Sequence, residues 1–557
     1  MSEFFQDPPR LGNQYDDDAL LRAYLRWRLP ANMHAEIEPD LRRLGHRVVT
    51  DILALGESAE ASPPRQVAYD AWGRRVDRIE TSNAWRELDR IAATEGIVAT
   101  GYERIHGAHS RIDQFARVYL FAPSSALYSC PLAMTDGAAR FLEVHGDESL
   151  QPEFGHLTSR DPNEFWTSGQ WMTERTGGSD VGSTSTVARC EEGDTYSLYG
   201  SKWFTSATTS QVAMTLARIE GAPAGSHGLS VFLIKLRDSD GMLRNIRIER
   251  LKDKLGTRAL PTAELTLEGT PAQLVGGAGD GIRKIATLFN ITRVYNAVAA
   301  VAGMRRAIAL ASDYARRRRA FGKTLIDHPL HVETLADMHL ELRAAFLLAF
   351  RVVELLGKDE CGDATESESQ LLRFLIPVAK LYTAKRAIAV ASEALEAFGG
   401  AGYLEDTGIP RLLRDAQVLS IWEGTTNILS LDTLRAMDKS DVLGGWTSDV
   451  RYRLSGLKVA ALSSCTEQTL SALQRIEQYA ARAGSAGSEF QQAGARGFAF
   501  AVARTEAAAL LIEQANAQGD HAAVTSATRW CARELAPLVE ADAEHRAGSV
   551  AIEHTTN

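Results

Sequence analysis

The sequence predicts an α+β fold, mainly α, in which a helical region, a β region and two further helical regions follow one another along 557 residues. Three observations predict it. Apolar residues recur at helical spacing up to about Phe165 and again from Ile282. Between Trp166 and Gly281 that spacing gives way to alternating and β-branched runs. Beyond Asp441 the chain is rich in Ala and Glu and helical spacing returns. The expected domains are therefore 1–165, helical; 166–281, a β-domain; 282–440, a helical bundle; and 441–557, an additional helical domain. A chain of this length exceeds one compact core.

Each element has its own signals. Ser82 ahead of an apolar-spaced run is a helix start, residues 93–98 continue that run, and Pro63-Pro64 marks a loop. In the β region, runs at 195–205, 212–219, 229–236, 246–251 and 263–267 are separated by Gly, Asp, Ser and Pro, which predicts an antiparallel sheet or small barrel. Leu335, Met338, Leu342, Ala345, Ala349, Val352 and Leu356 form one face of a long helix expected to end at Gly357. A second long helix is expected over 378–398, with Pro377 in its first turn and Gly399-Gly400 closing it. Two such helices call for partners of equal length, hence a bundle. Ala483 to Ser488 is a break in the last region.

Composition narrows the function. Hydrophobic residues at 45% and charged residues at 24% suit a globular enzyme. No apolar stretch approaches the ~18 residues that cross a bilayer, and residues 1–10 lack a signal-peptide pattern, so a cytoplasmic protein is expected, with no membrane partner. The five scattered cysteines read as reduced thiols, and the histidine pairs 106/109 and 328/331 lack companion ligands, so no metal is expected. A net charge of −10 argues against nucleic acid.

Five motifs carry chemistry. Gln170 precedes Trp171-Met172-Thr173-Glu174-Arg175-Thr176-Gly177-Gly178-Ser179-Asp180, where paired glycines allow close backbone approach and Thr173 and Ser179 bring hydroxyls. Lys202-Trp203-Phe204-Thr205 sets an aromatic pair beside a hydroxyl on a strand. Four consecutive arginines, Arg316 to Arg319, precede Phe321-Gly322; on a helix they point all round it, and only one or two can reach a phosphate. Gly399-Gly400 forms a glycine-rich helix end. Ile421-Trp422-Glu423-Gly424-Thr425-Thr426-Asn427 puts a carboxylate between an aromatic and a glycine, which suits a general base. A further glycine run, Gly276 to Gly281, lacks the spacing of a dinucleotide fingerprint and reads as a loop.

Taken in order, the five motifs resemble the acyl-CoA dehydrogenase family over residues 102–437, and within it the AidB-like branch. Further marks of that branch are residues 250–258, Pro329 after Phe321-Gly322, and the extra C-terminal helical domain. The resemblance implies an N-terminal helical domain, a middle β-domain, a C-terminal four-helix bundle and bound FAD. It implies flavin contacts from Gln170, Met172, Thr173, Gly178, Ser179, Trp203, Phe204, Thr205, Trp422, Thr425 and Asn427. It implies that Arg318 and Phe321, with Gly399 and Gly400, hold the adenosine-diphosphate part across a subunit interface, typically in a homotetramer. Glu423 is then the catalytic base, with Ser179, Arg293 and Gly424 at the substrate. Glu396 and Pro329 depart from a common Gln. Some members carry their base on the first bundle helix, where this chain has Thr292, which cannot act as one.

The implied activity is α,β-dehydrogenation of an acyl-CoA thioester in fatty acid metabolism, with an electron-transfer flavoprotein as acceptor. Two alternatives stand beside it: a DNA-associated protective flavoprotein, as AidB-like relatives are, and a low-turnover binder of long-chain acyl-CoA. Against DNA, residues 441–557 hold ten Arg and Lys against thirteen Asp and Glu, the wrong sign for phosphate contacts.

Overall fold

The computed structural model describes residues 6–438 and 441–555, so the expected boundary at 440 lies outside the described residues. The first region holds helices α1 (Ala19–Arg28), α2 (Ala31–Arg47) and α3 (Asp51–Ala61), strands β1 (Arg65–Tyr69) and β2 (Arg75–Glu80), then α4 (Asn83–Thr94), α5 (Thr100–Glu103), α6 (Ser110–Phe121), α7 (Ser129–His145) and α8 (Gln151–Leu157). Ser82 caps α4 by accepting from the Trp85 N–H. The β1–β2 hairpin corrects the all-helical expectation. Asp70 accepts from the N–H groups of Trp72 and Arg74 at 2.9 Å, and Gly73 takes φ 82° to close the turn. The hairpin docks on the β-domain, where Gln66 and Arg75 donate to the Ile248 carbonyl.

The β region contains β3 (Ser168–Trp171), β4 (Val187–Glu192), β5 (Thr195–Ser206), β6 (Val212–Ile219), β7 (Leu229–Lys235), β8 (Ile246–Leu251) and β9 (Thr262–Val275). Pairings run β6–β4–β5–β9–β7 and return from β7 to β6, closing a small barrel. It is not wholly antiparallel: β3 and β4 both run parallel to β6. β6 and β7 are buried along nearly their whole length, with one face in the barrel and the other against α7 and the start of the next helix.

Next come α9 (Gly281–Arg317), a two-rung hairpin of β10 (Arg319–Ala320) and β11 (Lys323–Thr324), α10 (Pro329–Cys361), α11 (Glu366–Ala397), α12 (Ile409–Leu419) and α13 (Thr426–Met437). α9 is long and apolar enough to cross a membrane by composition alone, but two-thirds of its apolar window is buried and it forms the core of the bundle. α10 runs past Gly357 to Cys361. Gly357 is glycine because a side chain would collide with the Ala108 carbonyl of the first region. α11 starts at Glu366, so Pro377 lies inside it rather than in its first turn. The true start is a capping box, with Thr365 accepting from the Glu368 N–H and Glu368 accepting from the Thr365 N–H. Of the four arginines, Arg316 and Arg317 end α9, Arg318 is its extended cap and Arg319 begins β10, so all four do not share a helix.

Buried charge joins the regions. Arg111 on α6, 1% exposed, pairs with Asp136 on α7 and Glu360 on α10 at 2.9 and 2.6 Å. Helices α14 (Val442–Leu454), α15 (Ser463–Ala486), α16 (Ser488–Gln518), α17 (His521–Cys531) and α18 (Ala543–Thr555) complete the chain. α16 packs on α10, α11 and α13, and its fully buried Glu506 accepts from Trp446 and Arg453.

Candidate functional site

Glu423 sits in the tight turn between α12 and α13. Its backbone is left-handed at φ 57°, a strained state for a residue with a Cβ, and Gly424 follows at φ 104°. Strain of that kind persists only where surroundings fix it. Lys380 on α11 does so: its Nζ donates to the carbonyls on both sides, Trp422 at 2.7 Å and Gly424 at 2.6 Å. Arg293 on α9 donates from Nε to the Glu423 carbonyl at 3.3 Å and from Nη1 to Asp432 on α13 at 2.7 Å. Arg293, expected at the substrate, thus braces the turn that carries Glu423. Thr425 caps α13 by accepting from the Ile428 N–H, leaving Thr425 and Asn427 exposed at the helix start.

The Glu423 carboxylate is half-buried and receives two side-chain donors. Thr292 Oγ1 donates to Oε2 at 2.7 Å, and Gln170 Nε2 lies 3.4 Å from the same oxygen. Gln170 comes from the end of β3, so barrel, first bundle helix and α12–α13 turn meet at one carboxylate. Burial and the Glu423 charge push the neighbouring Cys130 thiol up to about 12, so it stays protonated. Burial lowers the Lys380 ammonium to about 7, against the opposing pull of Glu423.

A cavity opens beside Glu423 between α7 and α9, walled by Ser129, Cys130, Ala133, Thr292, Asn296 and Trp422 among others. Leu127, Ala299 and Leu419 also belong to the wall of a second cavity, which continues between α9, α11 and α12 past Ala300, Gly303 and Ala391. Together they follow one face of α9, lined mostly by small and apolar side chains, with Arg411 and Asp415 of α12 also in the wall of the second.

The glycine-rich motif forms a loop beyond β3 that lies against β5. The Trp203 N–H donates to the Thr173 carbonyl at 2.9 Å. Gly178 packs on Thr173 so closely that an added Cβ would stand 2.5 Å from its hydroxyl oxygen. Met172 is buried, whereas Gly178 and Ser179 are exposed. Trp203 is half-buried, with Lys252 Nζ 3.5 Å from its ring centre, and Phe204 is 56% exposed. Thr205 is fully buried and its hydroxyl donates to the Ala263 carbonyl at 2.8 Å, so it offers no free hydroxyl.

Sequence reasoning passed over the ion pair that holds this wall. Lys202 and Glu174 are 0% and 2% exposed with Nζ and Oε1 3.0 Å apart. Glu174 also accepts from the backbone and hydroxyls of Ser185 and Thr186, and Lys202 donates to the Leu216 carbonyl at 3.0 Å. Burial works to raise the Glu174 carboxyl, but the Lys202 charge and these donors outweigh it and hold it at about 2. Their sequence signal is faint, since Glu174 stands beside the charged Arg175 in the same motif and Lys202 opens an aromatic run. Lys380 had no signal beyond a basic residue on an apolar helix.

At the other end of α9 the Arg318 cap, the exposed Phe321 at 96% and the closing glycines of α11 come together, since Tyr314 packs on Phe398 with ring centres 4.7 Å apart. Gly399 has φ 61°, and an added Cβ at Gly399 or Gly400 meets nothing within 4 Å. Tyr403 beside them is 89% exposed.

These residues fit FAD in two respects. Gln170 Oε1 and Trp422 Nε1 are buried beside Glu423 without a partner among the described residues, as expected of groups that meet a bound heteroaromatic ring system. The open glycines, with Arg318 and uncovered aromatics, make an exposed surface of cationic and apolar groups suited to an adenosine diphosphate.

Known proteins are similar to this chain in sequence and in fold. The family models for the acyl-CoA dehydrogenase middle and C-terminal domains match residues 169–270 and 279–437. Those for the adaptive response protein AidB N-terminal domain and the acyl-CoA dehydrogenase 11 C-terminal domain match residues 7–160 and 441–556. Acyl-CoA dehydrogenase family member 11 of Caenorhabditis elegans is 43% identical over 555 residues, covering 96% of this chain and 90% of that protein. The putative acyl-CoA dehydrogenase AidB of Escherichia coli (strain K12) is 35% identical over 409 residues, 72% of this chain and 74% of that protein. The crystal structure of C. elegans ACDH-11 in complex with C11-CoA superposes with a TM-score of 0.96 at 42% identity, covering 100% of this chain and 97% of that one. Matched along nearly its whole length in both sequence and shape, the chain belongs to the acyl-CoA dehydrogenase family of FAD-dependent oxidoreductases, in its AidB-like branch.

Proposed function

We propose that the protein oxidises an acyl-CoA thioester to its trans-2-enoyl form, with Glu423 removing the α-proton. The observation that carries this reading is the Glu423 carboxylate, fixed by Thr292 beside a cavity whose wall residues Leu127, Ala299 and Leu419 it shares with a second cavity further along α9.

A thioester α-proton is weakly acidic, so its removal needs a base already in position and a donor at the carbonyl oxygen. Glu423 takes the proton on a carboxylate whose side-chain contacts, Thr292 and Gln170, are neutral donors. The Glu423 N–H, in a turn pinned by Lys380 and Arg293, serves as donor to the thioester oxygen. Bound FAD supplies the acceptor for the hydride that leaves the β-carbon. The electrons then pass to an electron-transfer flavoprotein.

The acyl chain lies along α9 from Thr292 past Ala299 to Gly303. That face is about 16 Å long at the α-helical rise, space for on the order of a dozen carbons. The C11-CoA of the C. elegans structure fits this length. The uncovered Phe321 and Tyr403 seat a neighbouring subunit in a homotetramer, completing the adenosine-diphosphate site.

Anaerobic titration of Glu423→Gln tests the assignment. The variant keeps its yellow FAD and loses reduction by acyl-CoA by at least ~10²–10⁴-fold; bleaching at the wild-type rate would remove Glu423 from the mechanism.

A further inference from the structure

The path beside Glu423 is walled mainly by small and apolar side chains, yet Asn296 faces it with nothing to bond. It is 4% exposed, and neither its amide nitrogen nor its amide oxygen has a partner among the described residues. Buried polar groups are normally paired, and an unpaired amide is a net cost that a leucine of similar volume would not carry. An amide in such a place finds its partner in the loaded site.

Building on the dehydrogenation reading, we propose that the natural acyl chain carries a hydroxyl or keto oxygen that bonds to Asn296. The Nδ2 donates to that oxygen, and Oδ1 accepts from a hydroxyl. Position follows from α9. Thr292 touches the base and Asn296 stands four residues on, the same face one turn later and about 6 Å along the axis. An extended chain with its α-carbon at Glu423 brings roughly its seventh carbon to Asn296 over that rise. Past it the wall continues with Ala299, Ala300, Gly303 and Ala391 on one side and Arg411 and Asp415 of α12 on the other, so the chain runs on beyond Asn296 and the oxygen bonded there is internal rather than terminal.

The discriminating power comes from the same imbalance. A pocket that hydrogen-bonds a substrate oxygen rejects the analogue lacking it, because its own polar groups stay unpaired. The FAD-loaded protein is compared with Asn296→Leu, and with Asn296→Ala should the leucine variant fail to fold. The probes are undecanoyl-CoA and its positional hydroxy and keto derivatives from carbon 5 to carbon 9. Anaerobic bleaching gives kcat/KM, and titration in a Glu423→Gln background gives Kd without turnover. Wild type favours the oxygenated chain by about tenfold or more, most strongly near carbon 7, and Asn296→Leu reverses the preference. An equal ratio in wild type and variant, as when the amide holds only water, overturns the inference. Failure of every thioester to bleach the flavin sinks the dehydrogenation reading instead, while the Kd ratio still decides the role of Asn296.

Discussion

Thr292 donates a hydrogen bond to Glu423 at 2.7 Å across 131 residues of sequence. Thr292 stands on α9, the first bundle helix, one residue before Arg293. A hydroxyl is no base itself, but it orients the Glu423 carboxylate.

Removing that donor has a measurable consequence. Thr292→Val keeps the side-chain shape and loses a hydrogen bond to a charged group, about 1.5–3 kcal/mol. The expected result is a loss of about 10- to 100-fold in kcat/KM with FAD content unchanged, and partial recovery in Thr292→Ser. Stopped-flow flavin reduction measures it, and an unaltered rate would leave Thr292 a packing residue.

The Glu174–Lys202 pair governs the barrel face of the site. Glu174→Ala strands a buried ammonium and destabilises the protein by about 3–5 kcal/mol. The double change Glu174→Leu with Lys202→Met recovers most of that loss, as a double-mutant cycle by denaturant unfolding would show. Glu174 has a folded value of about 2, below its ordinary 4.5. Its stabilisation is therefore complete above pH 4.5 and fades as pH falls towards 2, and the double variant lacks that acid limb.

Lys380 secures the strained turn. Lys380→Met leaves the Trp422 and Gly424 carbonyls without their donor and frees the left-handed Glu423, so kcat falls more than substrate affinity. Its ammonium titrates near 7 when folded and 10.5 when unfolded. The unfolded chain therefore holds the extra proton between those values, and stability rises with pH across that window. In Lys380→Met this contribution to the slope disappears, which thermal melts from pH 6 to 10 detect.

The adenosine-diphosphate surface predicts linked losses. Arg318→Ala lowers FAD retention, and Phe321→Asp, charging an aromatic that is 96% exposed, lowers both FAD retention and assembly size. Light scattering with absorbance at the flavin band reads both. A small species with full FAD would separate the cofactor site from the interface.

The C-terminal helical domain predicts a negative result. With ten basic against thirteen acidic residues in 441–557, duplex DNA is not retarded by the purified protein even at low salt. A shift that weakens steeply with salt would restore the DNA-associated reading.

Sequence by itself determined the order of regions and the helices of the bundle, and it singled out Glu423 as a candidate, because these rest on local periodicity and short motifs. Ser82 caps a helix, and Glu423-Gly424 makes a turn, from information held within a few residues. Where local signals mislead, tertiary contact decides. Gly357 looks like a helix end and is a point of close approach to Ala108, and Pro377 looks like a first turn but lies within a helix whose capping box begins it earlier. The working details of the site belong wholly to the tertiary structure: Thr292 on Glu423, Lys380 on the two carbonyls, Lys202 on Glu174, Asn296 unpaired in the path. Each joins residues from different elements, and a polar side chain acquires its role only when folding removes water and leaves one partner, or none, within reach.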